Sequence, residues 1–202
     1  IFDCAELIAR HPSPRGRRLG IVTNAGGPGV MALDALMAAG GTPARLSAET
    51  LSALDELLPP SWSPGHPVDV LGDAPPTRIA RAVEAALAGP GVDPMLVILT
   101  PQAMTKPTQA AKALAEFAGA SRKPILAAWV GGRSMREGIE LLNRAGVATY
   151  ATPEQAVHAF MTLVAYGRNI ETLYEVPRDM PVEFPVDREH VREEFLVMRG
   201  QE

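Results

Sequence analysis

Three short runs of the chain are apolar throughout: Leu19 to Thr23, Met95 to Thr100 and Pro124 to Val130. A strand with one wet face alternates apolar and polar residues. An unbroken apolar run is what a strand covered on both faces requires, as in a parallel sheet between layers of helices. Two weaker strands are predicted at Pro43 to Leu46 and Val147 to Tyr150. Helical periodicity fills the intervals. After Pro76, the residues Ile79, Ala82, Val83, Ala86 and Leu87 share one helical face, and Val157, Phe160, Met161 and Val164 do the same near residue 160. Ser134 with Glu137 reads as a capping box, with Gly146 as the stop of that helix. Thr152, Pro153 and Gln155 supply a cap, a first-turn proline and a capping partner for the next. A further helix is predicted from Ile1. Strands alternating with helices imply right-handed crossovers and one parallel sheet, for which the predicted order is 2-1-3-4-5. The pattern decays from Gly167. Pro177, Pro181 and Pro185 break regular structure, so residues 174–186 read as an extended linker and Asp187 to Arg199 as a restarted helix. The predicted division is a compact α/β domain over 1–170 and a proline-containing linker over 171–202. There is no internal repeat.

Composition narrows the class. Of the 202 residues, 47% are hydrophobic but only 5% aromatic, so the core must be aliphatic. The net charge of −4 gives no electrostatic footprint for nucleic acid. A single cysteine, Cys4, excludes an intrachain disulfide and reads as a small buried hydrophobe. No apolar run approaches the ~20 residues of a membrane helix, and no signal peptide is present. These features predict a cytoplasmic protein with neither membrane nor nucleic-acid partners. The chain opens at Ile1 without an initiator methionine and ends in a polar, helix-like stretch, which reads as an excised piece.

Candidate chemistry centres on Thr23-Asn24-Ala25-Gly26-Gly27-Pro28-Gly29-Val30-Met31, which follows the first strand and opens a helix predicted to reach about Ala39. Glycines let backbone approach a ligand without Cβ clashes, and the free N–H groups and dipole of a helix start favour an anion. The turn also lies at the carboxyl end of a strand where the strand order reverses, the usual ligand position in open α/β sheets. It is neither GxGxxG nor a GxxxxGK[ST] P-loop, and no lysine follows it. From the residues alone, anion binding and a plain tight turn stand equally open. The phosphate-binding candidates are Asn24, Ala25, Gly26, Gly27, Gly29 and Val30. Asp69, Gln102, Gly131 and Gly132 form a second rank. A functional reading of Asp69 is that it orders the loop near the turn; the favoured reading of this stretch is a plain helix cap. Gln102 either donates to a phosphoryl oxygen or orders its loop. Gly131 and Gly132 permit close backbone approach after the fourth strand. Asp73 or Thr77 is expected to cap the helix after Pro76. His11, His66, His158 and His190 lack metal-ligand spacing, so no metal site is predicted. No carboxylate pair is assignable as acid and base, so no catalytic residue is predicted either. Met31, Met37 and Met161 read as core fillers.

The segment Ile21-Val22-Thr23-Asn24-Ala25-Gly26-Gly27-Pro28-Gly29 resembles the hallmark of ADP-forming acetyl-CoA synthetases, in the succinyl-CoA synthetase superfamily. His66-Pro67-Val68-Asp69-Val70-Leu71-Gly72-Asp73-Ala74, Leu99-Thr100-Pro101-Gln102-Ala103, Ala128-Trp129-Val130-Gly131-Gly132 and Tyr150-Ala151-Thr152-Pro153-Glu154 agree, in the family's order. The resemblance covers roughly residues 1–175. It departs at His66, where the family usually has Asn. It implies a flavodoxin-like, succinyl-CoA synthetase-like three-layer α/β/α domain with a five-stranded parallel sheet, equivalent to the carboxyl-terminal domain of the succinyl-CoA synthetase β subunit. It implies a piece of an acid–thiol ligase that makes acyl-CoA, ADP and phosphate from acid, CoA and ATP through a phosphohistidine on another domain. The glycine turn would cradle the phosphoryl group. Partners would be phosphohistidine-bearing and ATP-grasp domains, and a homodimer is possible. ATP, Mg and CoA would serve the full enzyme, with no cofactor in this domain. No Ser-His-Thr-Gly-type motif, ATP-grasp lysine or CoA-binding Rossmann turn is recognisable, so the isolated piece is expected to be inactive. The alternative is a regulatory synthetase-like domain of a fused protein lysine acetyltransferase.

Overall fold

The structure, a computed structural model, describes residue 8 and residues 16–121, 123–175 and 187–199. The chain divides into two compact units, Ile1–Glu171 and Thr172–Glu202. Cys4, His11 and the prolines at 177, 181 and 185 lie outside the described residues, as do most of the helix predicted from Ile1 and most of the extended stretch predicted at 174–186.

In the first unit, strands β1 (Arg18–Thr23), β2 (Thr42–Pro43), β3 (Val68–Asp69), β4 (Met95–Leu99), β5 (Ile125–Trp129) and β6 (Ala148–Tyr150) form one sheet. The helices are α1 (Gly26–Ala38), α2 (Ala48–Leu57), α3 (Pro76–Ala88), α4 (Pro107–Ala118), α5 (Arg136–Arg144) and α6 (Pro153–Tyr174). The main path runs β2-β1-β4-β5-β6 and every pairing is parallel, which is the predicted order of the five expected strands. A sixth strand, β3, was not expected. It pairs Val68 and Asp69 with Val22 and Thr23 of β1. Two residues are too short to show periodicity.

The apolar strand runs are buried on both faces because two cores sandwich the sheet. Val22, Val97, Leu99, Ala127 and Trp129 face a cluster completed by α2 to α5. Leu19, Ile21, Leu96, Ile98, Leu126 and Ala128 face a second cluster completed by α1 and α6. The result is the expected three-layer α/β/α arrangement.

Local signals fared unevenly. Thr152 Oγ1 accepts from the Gln155 N–H at 3.3 Å ahead of α6, as predicted. Gly146 follows α5 at φ 83°, a left-handed stop that favours glycine. Ser134 does not cap α5. It sits inside a 3₁₀ turn (Arg133–Met135), and Glu137 accepts from Thr108 Oγ1 at 3.1 Å instead. Neither Asp73 nor Thr77 caps α3. That helix starts behind Pro75 with Pro76 in its first turn, and Asp73 is held by Arg78 at 2.9 Å. Met31 and Met37 are not core fillers: they lie on the outer face of α1, 49% and 62% exposed. In the second unit, α7 (Arg188–Arg199) forms as predicted, with Asp187 Oδ1 accepting from the His190 N–H at 3.1 Å.

Candidate functional site

The glycine turn joins β1 to α1 at the carboxyl edge of the sheet. Thr23, the last residue of β1, is buried and locks the turn locally. Its hydroxyl donates to the Ala25 carbonyl at 2.8 Å and accepts the Ala25 N–H at 3.1 Å. Ala25 therefore has its N–H taken within the turn. Asn24, 3% exposed, staples β1 to the loop after β4. Its Oδ1 accepts from the Thr100 N–H at 2.8 Å and from the Thr100 hydroxyl at 3.2 Å, and its Nδ2 donates to the Thr100 carbonyl at 3.0 Å. Asn24 thus shapes the turn, with its side chain turned inward.

Beyond that frame the chain opens. Gly26 and Gly27 are exposed, and a Cβ on Gly27 would meet nothing within 4 Å. No side chain caps α1, and its first turn carries no acidic residue. The first helical bond runs from the Gly29 N–H to the Ala25 carbonyl at 3.4 Å. Among the described bonds, the N–H groups of Gly26 and Gly27 have no acceptor, and Pro28 has no N–H to offer. Two adjacent donors at an uncapped helix start are what an anion site needs. Gly29 serves packing: a Cβ there would lie 2.9 Å from Thr23 Cγ2 and 3.4 Å from Pro67 Cβ. Val30, in the first turn of α1, is 52% exposed.

The second-rank residues surround this frame. Asp69 Oδ1 accepts from the Leu71 N–H at 2.9 Å, while Oδ2 lies 3.5 Å from where a Gly26 Cβ would sit. Gln102 donates through Nε2 to the Asn24 carbonyl at 3.1 Å, and its amide lies over Gly72, where a Cβ would collide with it. Gln102 therefore orders the loop. Thr105 Oγ1 accepts from the Gln102 N–H at 3.1 Å and completes the network. Gly131, at φ 153°, packs against Pro101 and Met135, while Gly132 faces open space. Among the described residues no group of three or more His, Cys, Asp or Glu side chains comes together to hold a metal, and no helix is long and apolar enough to cross a membrane.

Sequence reasoning missed His66. Its ring sits between β2 and β3, where Nε2 accepts from the Ile21 N–H at 2.8 Å. Nδ1 is buried without a partner. Burial lowers the ring's pKa to about 4, so it is neutral at ordinary pH. The roles of Thr23, Thr105 and Pro67 were also missed. Only the position of Thr23 at the end of the apolar run, three residues before Gly26, hinted at the turn lock.

With this geometry in place, comparisons are informative. A model of the Ligase-CoA domain matches residues 19–174. The chain is 34% identical over 193 residues to ADP-forming acetate–CoA ligase I of Archaeoglobus fulgidus, covering 96% of this chain and 27% of that protein. It is 33% identical over 169 residues to the alpha subunit of ADP-forming acetate–CoA ligase I of Pyrococcus furiosus, covering 83% of this chain and 36% of that one. Among solved structures, acetyl-coenzyme A synthetase 1 of Ca. Korarchaeum cryptofilum, in complex with phosphate and ADP, superposes with a TM-score of 0.79 at 30% identity. That match covers 87% of this chain and 39% of the other. The chain thus spans only about a quarter to two fifths of the proteins it matches.

Proposed function

Because the chain belongs to the Ligase-CoA domain family, we propose that it is the flavodoxin-like domain of an ADP-forming acyl-CoA synthetase and that its glycine turn binds the phosphoryl group in transit. The observation that carries this reading is the pair of open N–H groups at Gly26 and Gly27, at a helix start with no cap and no first-turn acid. A phosphoryl group carries two negative charges, and the dipole of α1 adds favourable field to those two donors. The residues around the turn hold it: Thr23 fixes Ala25, Asn24 ties it to Thr100, and Gln102 braces Asn24. In this reading the domain supplies binding groups rather than a nucleophile or an acid–base pair. Its part is binding and orientation, and the phosphohistidine, ATP, Mg and CoA belong to neighbouring domains of a cytoplasmic enzyme. Val30, Met31 and Met104 are all about half exposed or more on and beside α1, an apolar rim suited to such a neighbour.

The test uses the full-length protein that contains this domain. Gly27→Val places a branched side chain in space that is empty here, so the fold should persist while phosphoryl oxygens are kept away from the backbone. Single-turnover phosphorylation by labelled ATP, followed by transfer to acid and CoA, is expected to slow by at least about tenfold, equivalent to ~1.4 kcal/mol of transition-state stabilisation. Wild-type rates in a folded variant would show that the turn is only a turn.

A further inference from the structure

The inner edge of β1 is fully laddered toward β4, where the N–H groups of Gly20 and Asn24 reach the carbonyls of Pro94 and Ile98. Its other edge is shared by two fragments. β2 serves the first half: the carbonyls of Arg17 and Leu19 accept from Thr42 and Ala44. β3 serves the second half, where the Thr23 carbonyl accepts from Val70. One donor falls between them, the N–H of Ile21, a residue with 0% exposure. Left alone it would be a dry, unpaired amide, which folded proteins avoid. The imidazole of His66 supplies the missing acceptor at 2.8 Å.

We propose that His66 is a positioning residue for the glycine turn: its ring supplies the hydrogen-bond rung that β1 lacks between β2 and β3 and so seats residues 66–69 against the turn. The segment it anchors touches the site at each step. Pro67 packs on Gly29, Val68 and Asp69 pair with Val22 and Thr23, and Asp69 Oδ2 stands beside Gly26. A segment that slips here moves one wall of the turn. The ring does this as an acceptor. Nε2 must be bare to receive the Ile21 N–H. This role rests on the proposed phosphoryl site for its effect on catalysis, but the coupling between His66 and the turn is structural and measurable without it.

Two variants test the role. His66→Leu fills similar space without an acceptor. His66→Gln carries an amide oxygen about as far from the backbone as Nε2. In amide NMR of the chain, His66→Leu is expected to speed hydrogen exchange at Ile21 by about tenfold or more and to shift the Gly26 and Gly27 resonances. His66→Gln should return all three toward wild type. In the full-length protein, His66→Leu should lower the phosphoryl-transfer rate on the order of tenfold with KM for acid and CoA unchanged, and His66→Gln should restore it. The proposal is overturned if folded His66→Leu leaves Ile21, Gly26 and Gly27 unmoved, or if folded His66→Gln fails to restore them. Should His66→Leu not fold, His66→Gln decides alone, native resonances supporting the role and displaced ones overturning it. If instead the coupling holds while Gly27→Val transfers at the wild-type rate, the phosphoryl site is wrong and the positioning role stands.

Discussion

The two edges of the sheet treat their polar groups in opposite ways. At the amino edge the described charged groups Arg18, Asp93 and Lys123 all have partners. Arg18 Nε and Nη2 donate to the two oxygens of Asp93 at 3.1 and 2.9 Å. Burial pushes the Asp93 carboxyl up, but the hydrogen bonds and charge of Arg18 outweigh it and hold the carboxyl below its ordinary range. Lys123 Nζ donates to the carbonyls of Leu87 and Gly89 at 2.6 and 2.8 Å, putting a cation on the negative end of α3. At the carboxyl edge, α1, α3 and α4 all start without a side-chain cap or a first-turn acid, and α1 exposes two open donors. These three helix starts lack the groups that would seal them, whereas α2 and α6 at the same edge are capped by Ser47 and Thr152.

The contrast can be broken at several points. The largest stability effect should come from acid, through the support of the carboxyl edge. The His66 pKa is about 4 in the folded chain against an ordinary 6.5, so the unfolded chain takes up the proton first. Stability from this group is complete above pH ~6.5 and is lost as pH falls through about 4, for a total of ~3 kcal/mol. Urea denaturation between pH 7 and pH 4 should show this loss, and the His66→Gln chain should not. At the amino edge, Lys123→Met leaves the carbonyls of Leu87 and Gly89 to water and should cost about 2 kcal/mol in the same assay. Equal stability would mean that water replaces the ammonium without loss. The smallest effects compare two glycines two residues apart. Gly29→Ala forces a methyl onto Thr23 and Pro67 and should cost about 1–2 kcal/mol. Gly27→Ala meets open space and should stay within ~0.5 kcal/mol of wild type. Equal effects at both sites would contradict the division between a packed and an open glycine.

Much of the fold was legible because it rests on residues close in sequence. The apolar runs at β1, β4 and β5 and the helical stripe from Ile79 to Leu87 each announce themselves within a few residues. β3 was invisible because it is two residues long and exists only by pairing with Val22 and Thr23. Capping was misread where two signals competed. Pro75 and Pro76 set the start of α3 over Asp73 and Thr77, and a 3₁₀ turn absorbed Ser134. The glycine turn was legible as a possible anion site, but its inner workings were not. Asn24 and Thr100 are 76 positions apart and Ile21 and His66 are 45 apart, so no local pattern could join them. The exposure of Met31 and Met37 was hidden for a related reason: composition does not say which face of a helix stays exposed.

The central claim is that the open N–H groups of Gly26 and Gly27 form an anion site. Titration of the chain with inorganic phosphate, followed by amide NMR, tests it most directly. Binding should be weak, since one helix start supplies only part of a cradle. The Gly26 and Gly27 resonances should nonetheless move together and saturate, while those of Gly89 and Met95 at the amino edge stay in place. Glycine-turn resonances that do not move, or that drift no more than those at the amino edge, would contradict the claim.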